Sequence, residues 1–571
     1  MAISGGDLLL DLFEACGVEY IFCSPGTEWT PVWEGLLKRH DKGDTGLKFI
    51  NCRHEVLAIG AAQGYAETTG RLPAVLLHSS VGPLLGAMAM RNALSARAPM
   101  LIFSGETCEH CGDEEVEAQG GQWLSLLSDI GGPSALVGDY VKWSNGVKSR
   151  ESLVDAVIRG SRIALAAPRG PVFISVQSEL LLKSGAEVKI KPPSPVAVSP
   201  GPADSDLREV ARQLVRSEYP IIIADHAGRS PGAVAALVKL AELLSIPVFE
   251  NIHHFSSNFP KDNPLYMGSV TPEALKQAET VFVVAATVPW YPPSAGPAHN
   301  ARIIMLDENT CYERLPYWGY RADITINAGV ELTLGALVKT VPAEKARQKQ
   351  PDRLYRDRLA HWRQKHNDMM TATEKEALAV RKNSPIAARW FCHAAHRVFP
   401  SDAIILDETI LYTHLVHQYI GTPGRYIRPA YGGLGVGMGV ALGVKLAQPE
   451  RPVILIVGDG AFNYNPVLAG LGLGQEYKLP ILIVVLNNGG YMAMRKGHRR
   501  MYPRGWAAGH NTYLGVDITP APDYVKVAGA FGAYGEKLVE PAKIEAALKR
   551  GLSRIAGGRT ALLDVVVDAS P

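Results

Sequence analysis

Cysteine is scarce in this sequence: there are seven in 571 residues, an odd number. A disulfide framework is therefore not what holds the chain together, and the mostly apolar surroundings of these cysteines read as reduced thiols in a cytoplasmic protein. A charge excess of one sign is missing too. Lysine and arginine number 58 against 56 acids, a net charge of +2, which argues against a nucleic-acid or other polyanionic partner. No apolar run approaches the roughly 20 uncharged residues that cross a bilayer, so no membrane partner is expected. The opening MAISGGDLLLDLFEACGVEYIF has no basic leader and sets acids inside its apolar pattern. It predicts an amphipathic helix and a strand rather than a signal peptide. What is plentiful is apolar residue, 47% against 20% charged, a globular composition in a chain too long for one core.

The pattern along the chain predicts an α/β protein of three consecutive doubly wound parallel-sheet domains. Over 1–185, short apolar strands (YIFCS, LKFIN, AVLLHS, MLIFSG, PVFISV) alternate with helical stretches, which implies parallel strands joined by crossover helices. KIKPPSPVAVSPGP, 189–202, is a proline-rich connection of extended character. A second α/β pattern occupies 203–340, a charged helical stretch over 341–383 reads as a solvated linker helix, and a third α/β pattern fills 384–571. In CEHC, Cys108 and Cys111 have metal or redox spacing around His110. A structural zinc site needs a second pair, and none follows, so a loop with two free thiols is the reading.

The third domain carries VILIVGDGAFNYNPVLAGLGLGQEYKLPILIVVLNNGGY, 453–491. Two apolar strands flank a helix, so the strands are parallel, and Asp459 and Asn488 fall at their carboxyl ends, where open α/β sheets bind ligands. An acid and an amide oxygen there make a hard-cation site. Magnesium takes one or two carboxylates and completes its shell with phosphate and water. Asp459, Asn488 and the carbonyl near Gly490 would supply half a shell, and the glycines allow a diphosphate to approach the backbone. GDG alone is also an ordinary turn. Upstream, YGGLGVGMGVALG, 431–443, is glycine-rich, but no frame reads G-x-G-x-x-G and no strand leads into it, so a dinucleotide loop is disfavoured.

GDG followed about thirty residues later by NN resembles the cofactor signature of the thiamine diphosphate-dependent enzymes of the acetolactate synthase, benzoylformate decarboxylase and pyruvate decarboxylase group. RHEVLAIGAAQGYAETTGRLPAVLLHS in the first domain resembles their glutamate helix, and PIIIADHAG…AELLSIPVFEN their central domain. The resemblance implies pyrimidine-binding, central and diphosphate-binding domains, with thiamine diphosphate and Mg2+ as cofactors. It places Glu55 on the cofactor's pyrimidine ring, promoting the imino tautomer that removes the thiazolium proton. A carboxyl in an apolar, covered place suits that task; an ion pair with Arg53 or His54 is the structural alternative. Leu434 matches the aliphatic wedge that bends the cofactor, although it could also simply be core. Ser24, Pro25 and Gly26 match the pyrimidine loop, and Gly432, Gly458, Ala461, Tyr464, Tyr491, Met492 and Ala493 the other cofactor contacts. In this family the glutamate and diphosphate halves come from different subunits, which implies a homodimer or homotetramer.

Within the group, LLHSSVG with His78, GDGAFNY and NNGGYMAMR resemble benzoylformate decarboxylase most. A histidine there could handle the proton of a carbonyl adduct; a scaffold histidine is the alternative. Three departures stand out. Thr27 replaces the substrate-contacting serine, Asn263 stands where a second active-site histidine aligns, with His253 and His254 ten residues before it, and Gly497 replaces a bulky wall residue. The expected activity is decarboxylation of a 2-oxo acid to an enamine that is protonated or joined to an aldehyde or ketone. An acetolactate synthase-like carboligase, with FAD left open because HAGRSPG could touch a nucleotide, is the alternative. A catalytically silent homologue is the third reading, and Glu55 argues against it.

Overall fold

A computed structural model of the chain describes residues 2–106, 131–186, 188–194, 199–251, 255–429 and 432–569. The Cys108/Cys111 pair and His253 and His254 lie outside the described residues. Strand β1 (Ala2–Ser4) pairs antiparallel with β8 (Ser184–Ala186), tying the start of the first domain to its end. Between them, β2 (Tyr20–Cys23), β3 (Lys48–Asn51), β4 (Ala74–Leu77), β5 (Met100–Glu106), β6 (Trp143–Val147) and β7 (Pro171–Gln177) form a parallel sheet ordered β3-β2-β4-β5-β7-β6. The second sheet orders β9 (Pro220–Ala224), β10 (Val248–Glu250), β11 (Tyr266–Ser269), β12 (Thr280–Val284), β13 (Arg302–Asp307) and β14 (Ile324–Asn327) as β11-β10-β9-β12-β13-β14. The third orders β15 (Ile404–Glu408), β16 (Tyr426–Ile427), β17 (Val453–Gly458), β18 (Leu482–Asn487), β19 (Tyr534–Leu538) and β20 (Ala561–Val566) as β16-β15-β17-β18-β20-β19.

The central strands are buried for nearly their whole length, as runs such as AVLL and VILIV require when helices cover both faces. Chain order reverses between β2 and β4, between β9 and β12, and between β15 and β17. Ligand crevices form beyond the carboxyl ends of strands at such switch points.

The first and third domains share one core. Helix Glu55–Thr69 crosses helix Gly437–Ala447, and it can do so because small residues line the crossing. A Cβ on Gly60 would stand 3.2 Å from the Gly439 Cα, and one on Gly439 3.0 Å from the Leu57 carbonyl. Arg53 pairs with Glu476, and the Asn51 amide donates to the Tyr477 hydroxyl at 2.9 Å. The middle domain is fastened to the first by a two-pronged ion pair, Arg97 to Asp307, at 2.7 Å on both prongs.

The charged stretch after the second sheet departs from the expected linker. Its first residues complete helix Val330–Gln348, which packs on the middle domain through Leu334, Leu337 and Val341. The second helix, Asp352–Ala379, buries Tyr355, Arg358, Trp362 and His366. The Arg358 guanidinium donates to the carbonyls of Leu244 and Ser217 at 2.8 and 2.7 Å. Charge patterning hid this docked face, because a buried arginine that meets carbonyls reads in sequence like a solvated one. Among the described residues, no helix is long and apolar enough to cross a membrane.

Candidate active site

At the first switch point the chain leaves β2 through Ser24, Pro25 and Gly26 and turns into the short helix Thr27–Trp29. Trp29 is buried and donates its indole N–H to the Leu77 carbonyl at 2.9 Å, which holds this turn over the end of β4. The turn carries Glu28, fully buried, into contact with His78. Both carboxylate oxygens lie about the same distance from His78 Nδ1, 3.0 and 2.9 Å, and Oε1 accepts the Ser79 amide at 2.7 Å. Any side chain at Gly26 would run into both Glu28 and His78, so glycine is required there by close approach. The hydrogen bond to Glu28 raises the His78 pKa from its ordinary 6.5, against the opposing effect of burial, and the Glu55 charge adds to the rise. His78 keeps Nε2 free of these contacts and is about one-third exposed (34%).

Glu55 stands at the first position of its helix and is partly buried. Its ion-pair alternative does not form with Arg53, which is bound to Glu476, or with His54, whose Nδ1 caps the helix by accepting the Val56 amide. Ser24 is buried, while Thr27 and Pro25 are exposed. Glu28 is the residue that sequence reasoning missed. It lies fifty positions from its partner, and nothing local distinguishes it from a surface acid.

The second half lies where β17 and β18 end. Asp459 is buried and begins the short helix Asp459–Tyr464. Burial pushes its carboxyl up to about 6, against the pull of the Gly460, Gly489 and Gly490 amides. Asn488 Oδ1 accepts the Gly490 amide at 3.2 Å, and its Nδ2 donates to the Tyr412 hydroxyl at 3.0 Å. Asn487 turns the other way and donates to Asp564 at 2.9 Å, so only the second asparagine of the pair faces the site. Tyr491 packs on Tyr464 and lies against Gly460. Ala461 and Met492 are buried, Tyr464 and Ala493 exposed, and Gly458 caps the helix. Leu434 is partly buried against the shared core, in a loop where Gly432 has φ +76° and Gly435 φ +102°.

Among the described residues, no hydrogen bond or ion pair joins Glu28, Glu55 or His78 to Asp459 or Asn488. An apolar cavity of about 440 Å³ lies open beside the second half, lined by His54, Phe462, Asn463, Pro466, Leu468 and Tyr524. Asn263 takes no part in either half. Its Nδ2 donates to Glu242 and its Oδ1 accepts the Leu265 amide, both at 3.0 Å, closing the turn before β11.

Three thiamine pyrophosphate enzyme families match in chain order: the N-terminal TPP binding domain over 3–117, the central domain over 207–337 and the C-terminal TPP binding domain over 411–565. The chain is a thiamine pyrophosphate enzyme. It is 26% identical to a benzoylformate decarboxylase of Pseudomonas aeruginosa over 564 residues, covering 96% of each chain. It is 24% identical to the acetolactate synthase isozyme 3 large subunit of Escherichia coli, covering 100% of this chain and 95% of that one. Its fold is similar to that of a thiamine diphosphate-dependent 4-hydroxybenzoylformate decarboxylase of Rhodococcus jostii, with TM-score 0.80, 23% identity and 99% coverage of both.

The residues of this thiamine pyrophosphate enzyme fit a cation at this site. Asp459 Oδ2 is buried with no hydrogen-bond partner, an orphaned acceptor that a hard cation would satisfy. At the middle switch point a cavity of about 630 Å³ opens beside His226 and Ala285; Arg97 there is paired with Asp307, while Arg229 Nη2 lies 3.7 Å from Glu67 and has no hydrogen-bond partner among the described residues.

Proposed function

We propose that this thiamine pyrophosphate enzyme decarboxylates a 2-oxo acid, using Mg2+ held by Asp459, Asn488 and the Gly490 carbonyl. The observation that carries the reading is the pairing of buried Glu28 with His78 at the first switch point. When bound, thiamine diphosphate supplies a carbon nucleophile and a sink for the electrons released with carbon dioxide. Glu55 holds the proton that activates it. His78, whose cationic form the Glu28 hydrogen bond favours, presents a proton at Nε2 to the oxygen or carbanionic carbon of the substrate. A silent homologue would have no use for a histidine paired with a fully buried glutamate at the carboxyl end of the sheet.

Both halves are complete only if two copies of the chain face each other. The support is that, among the described residues, no hydrogen bond or ion pair joins the two halves, and that Val81, Leu84, Leu85, Tyr464 and Leu468 are exposed beside them, each more than half. Isolated exposed apolar residues are ordinary, but a set that flanks a half-site marks an interface. We read the chain as a homodimer or a dimer of dimers, in the cytoplasm, where the five free cysteines of the described residues would stay reduced. The units we assign are 1–185, 203–340 and 384–571, bridged by 341–383.

Carboligation is the second reading, favoured by Gly497. A Cβ there would have nothing within 4 Å, so the helix Met492–Met501 leaves room for a second carbonyl compound. Purified enzyme supplied with a panel of 2-oxo acids, with and without an acceptor aldehyde, separates the readings: aldehyde and carbon dioxide alone mark a decarboxylase, and 2-hydroxy ketone a carboligase. No turnover of any 2-oxo acid would refute both. Absorbance near 450 nm in the purified protein would show a bound flavin.

A further inference from the structure

The third sheet contains an acid that the chemistry above does not use. Glu408 ends β15, beside β17 at the switch point, and is 1% exposed. Every contact it makes is to a donor. Oε1 accepts the amides of Gly435 and Val436 at 2.8 and 3.1 Å, and Oε2 accepts the Gly437 amide at 3.2 Å and Asn465 Nδ2 at 2.8 Å. Asn465 then accepts the Met438 amide on its own Oδ1 at 2.8 Å. Two side chains thus satisfy four consecutive amides, 435–438, at the start of helix Gly437–Ala447. A helix start leaves such amides without partners.

The second partner ties this cap to the cation site. Asn465 directly follows the helix Asp459–Tyr464, and its Nδ2 also donates back to the Ala461 carbonyl at 2.8 Å. Gly435 closes the contact from the other side, since a Cβ on it would strike the Tyr464 carbonyl. The loop that carries Leu434 and the segment that carries Asp459 are therefore fixed to each other through one buried carboxylate and one amide. A hydrophobic residue at 408 would fill the space but leave these buried amides without acceptors, which is costly.

We propose that Glu408, acting through Asn465, is a positioning residue that sets the Leu434 wedge relative to the Asp459 cation site, so that cofactor held by its diphosphate meets the wedge in the bent form. The proposal rests on the thiamine diphosphate reading above. Glu408 touches neither substrate nor cofactor in this scheme. A helix cap alone would affect stability; a positioning role must also affect cofactor that is already bound.

The test compares wild type, Glu408→Gln and Asn465→Ser. The first keeps the shape but turns a donor toward donors, and the second keeps Glu408 but removes the link. Three quantities are measured: amide hydrogen exchange of the 435–438 segment in cofactor-free protein, thiamine diphosphate affinity by calorimetry with Mg2+, and deuterium exchange of the thiazolium proton in bound cofactor. We expect amide exchange at 435–438 to accelerate at least tenfold in both variants. Affinity should fall less than tenfold, while the bound cofactor exchanges its proton at least tenfold more slowly than in wild type. Wild-type proton exchange in variants with accelerated amide exchange would reduce Glu408 to a cap and overturn the proposal, as would unchanged amide exchange. Should Glu408→Gln fail to fold, Asn465→Ser alone decides in the same way. Failure of wild type to bind thiamine diphosphate would instead overturn the reading of the site, and this proposal with it.

Discussion

In the proposed reaction, much rests on the single contact between Glu28 and His78. Because the Glu28 hydrogen bond raises the His78 pKa above 6.5, the protonated imidazole is favoured. The stabilisation of this pair is present below the unfolded value and is lost as pH rises through the raised folded one. Activity that needs the cation follows the same limb. Glu28→Gln removes the charge, so the alkaline limb of kcat/KM should move to lower pH and the rate near pH 8 should fall by roughly 10²-fold, within the range general acid catalysis contributes. A pH–rate profile checks this, and an unmoved limb would mean that His78 is a scaffold residue. Asp459→Ala should abolish binding of thiamine diphosphate with Mg2+ in calorimetry while leaving circular dichroism unchanged. Individual residues could be proposed from sequence where a motif fixed the spacing, as for Asp459, Asn488 and Glu55. Glu28 could not, because its meaning comes from a turn that places it beside a strand end fifty residues on. Asn263 misled for the opposite reason: an aligned position became the polar plug of a turn.

Among the elements, strands were the easiest to read. Apolar runs such as AVLL, MLIF and VILIV became parallel strands, most of them buried, as hydrophobicity on both faces dictates. Helices revealed less. Glu55–Thr69 and Gly437–Ala447 both looked small and apolar in sequence, but their crossing, with glycine against backbone, depends on contacts far apart along the chain. A side chain at Gly443 would strike the Ala61 carbonyl. Gly443→Val should therefore destabilise the protein by about 1–3 kcal/mol, as overpacking does, and lower the thermal midpoint. An unchanged midpoint would show that the crossing yields at little cost. The helix Asp352–Ala379 is the converse case, where charge concealed a face that docks on the middle domain.

For the whole molecule, the order of domains and the parallel sheets could be read from the sequence, while the proposed separation of the site into two halves rests on the resemblance. If the halves come from two chains, co-expressing Glu55→Gln with Asp459→Ala should restore activity that neither variant has alone, because one site of each mixed dimer carries no substitution. No recovery in isolated mixed dimers would place both halves in one chain. The most direct measurement of all follows the thiazolium proton of bound thiamine diphosphate in deuterated water, by rapid acid quench and proton NMR, for wild type and Glu55→Gln. Wild type should exchange the proton orders of magnitude faster than free cofactor, and Glu55→Gln should bind the cofactor yet lose most of that acceleration. Exchange in wild type no faster than in free cofactor, or equal rates in wild type and Glu55→Gln, would contradict the assignment of this fold's chemistry.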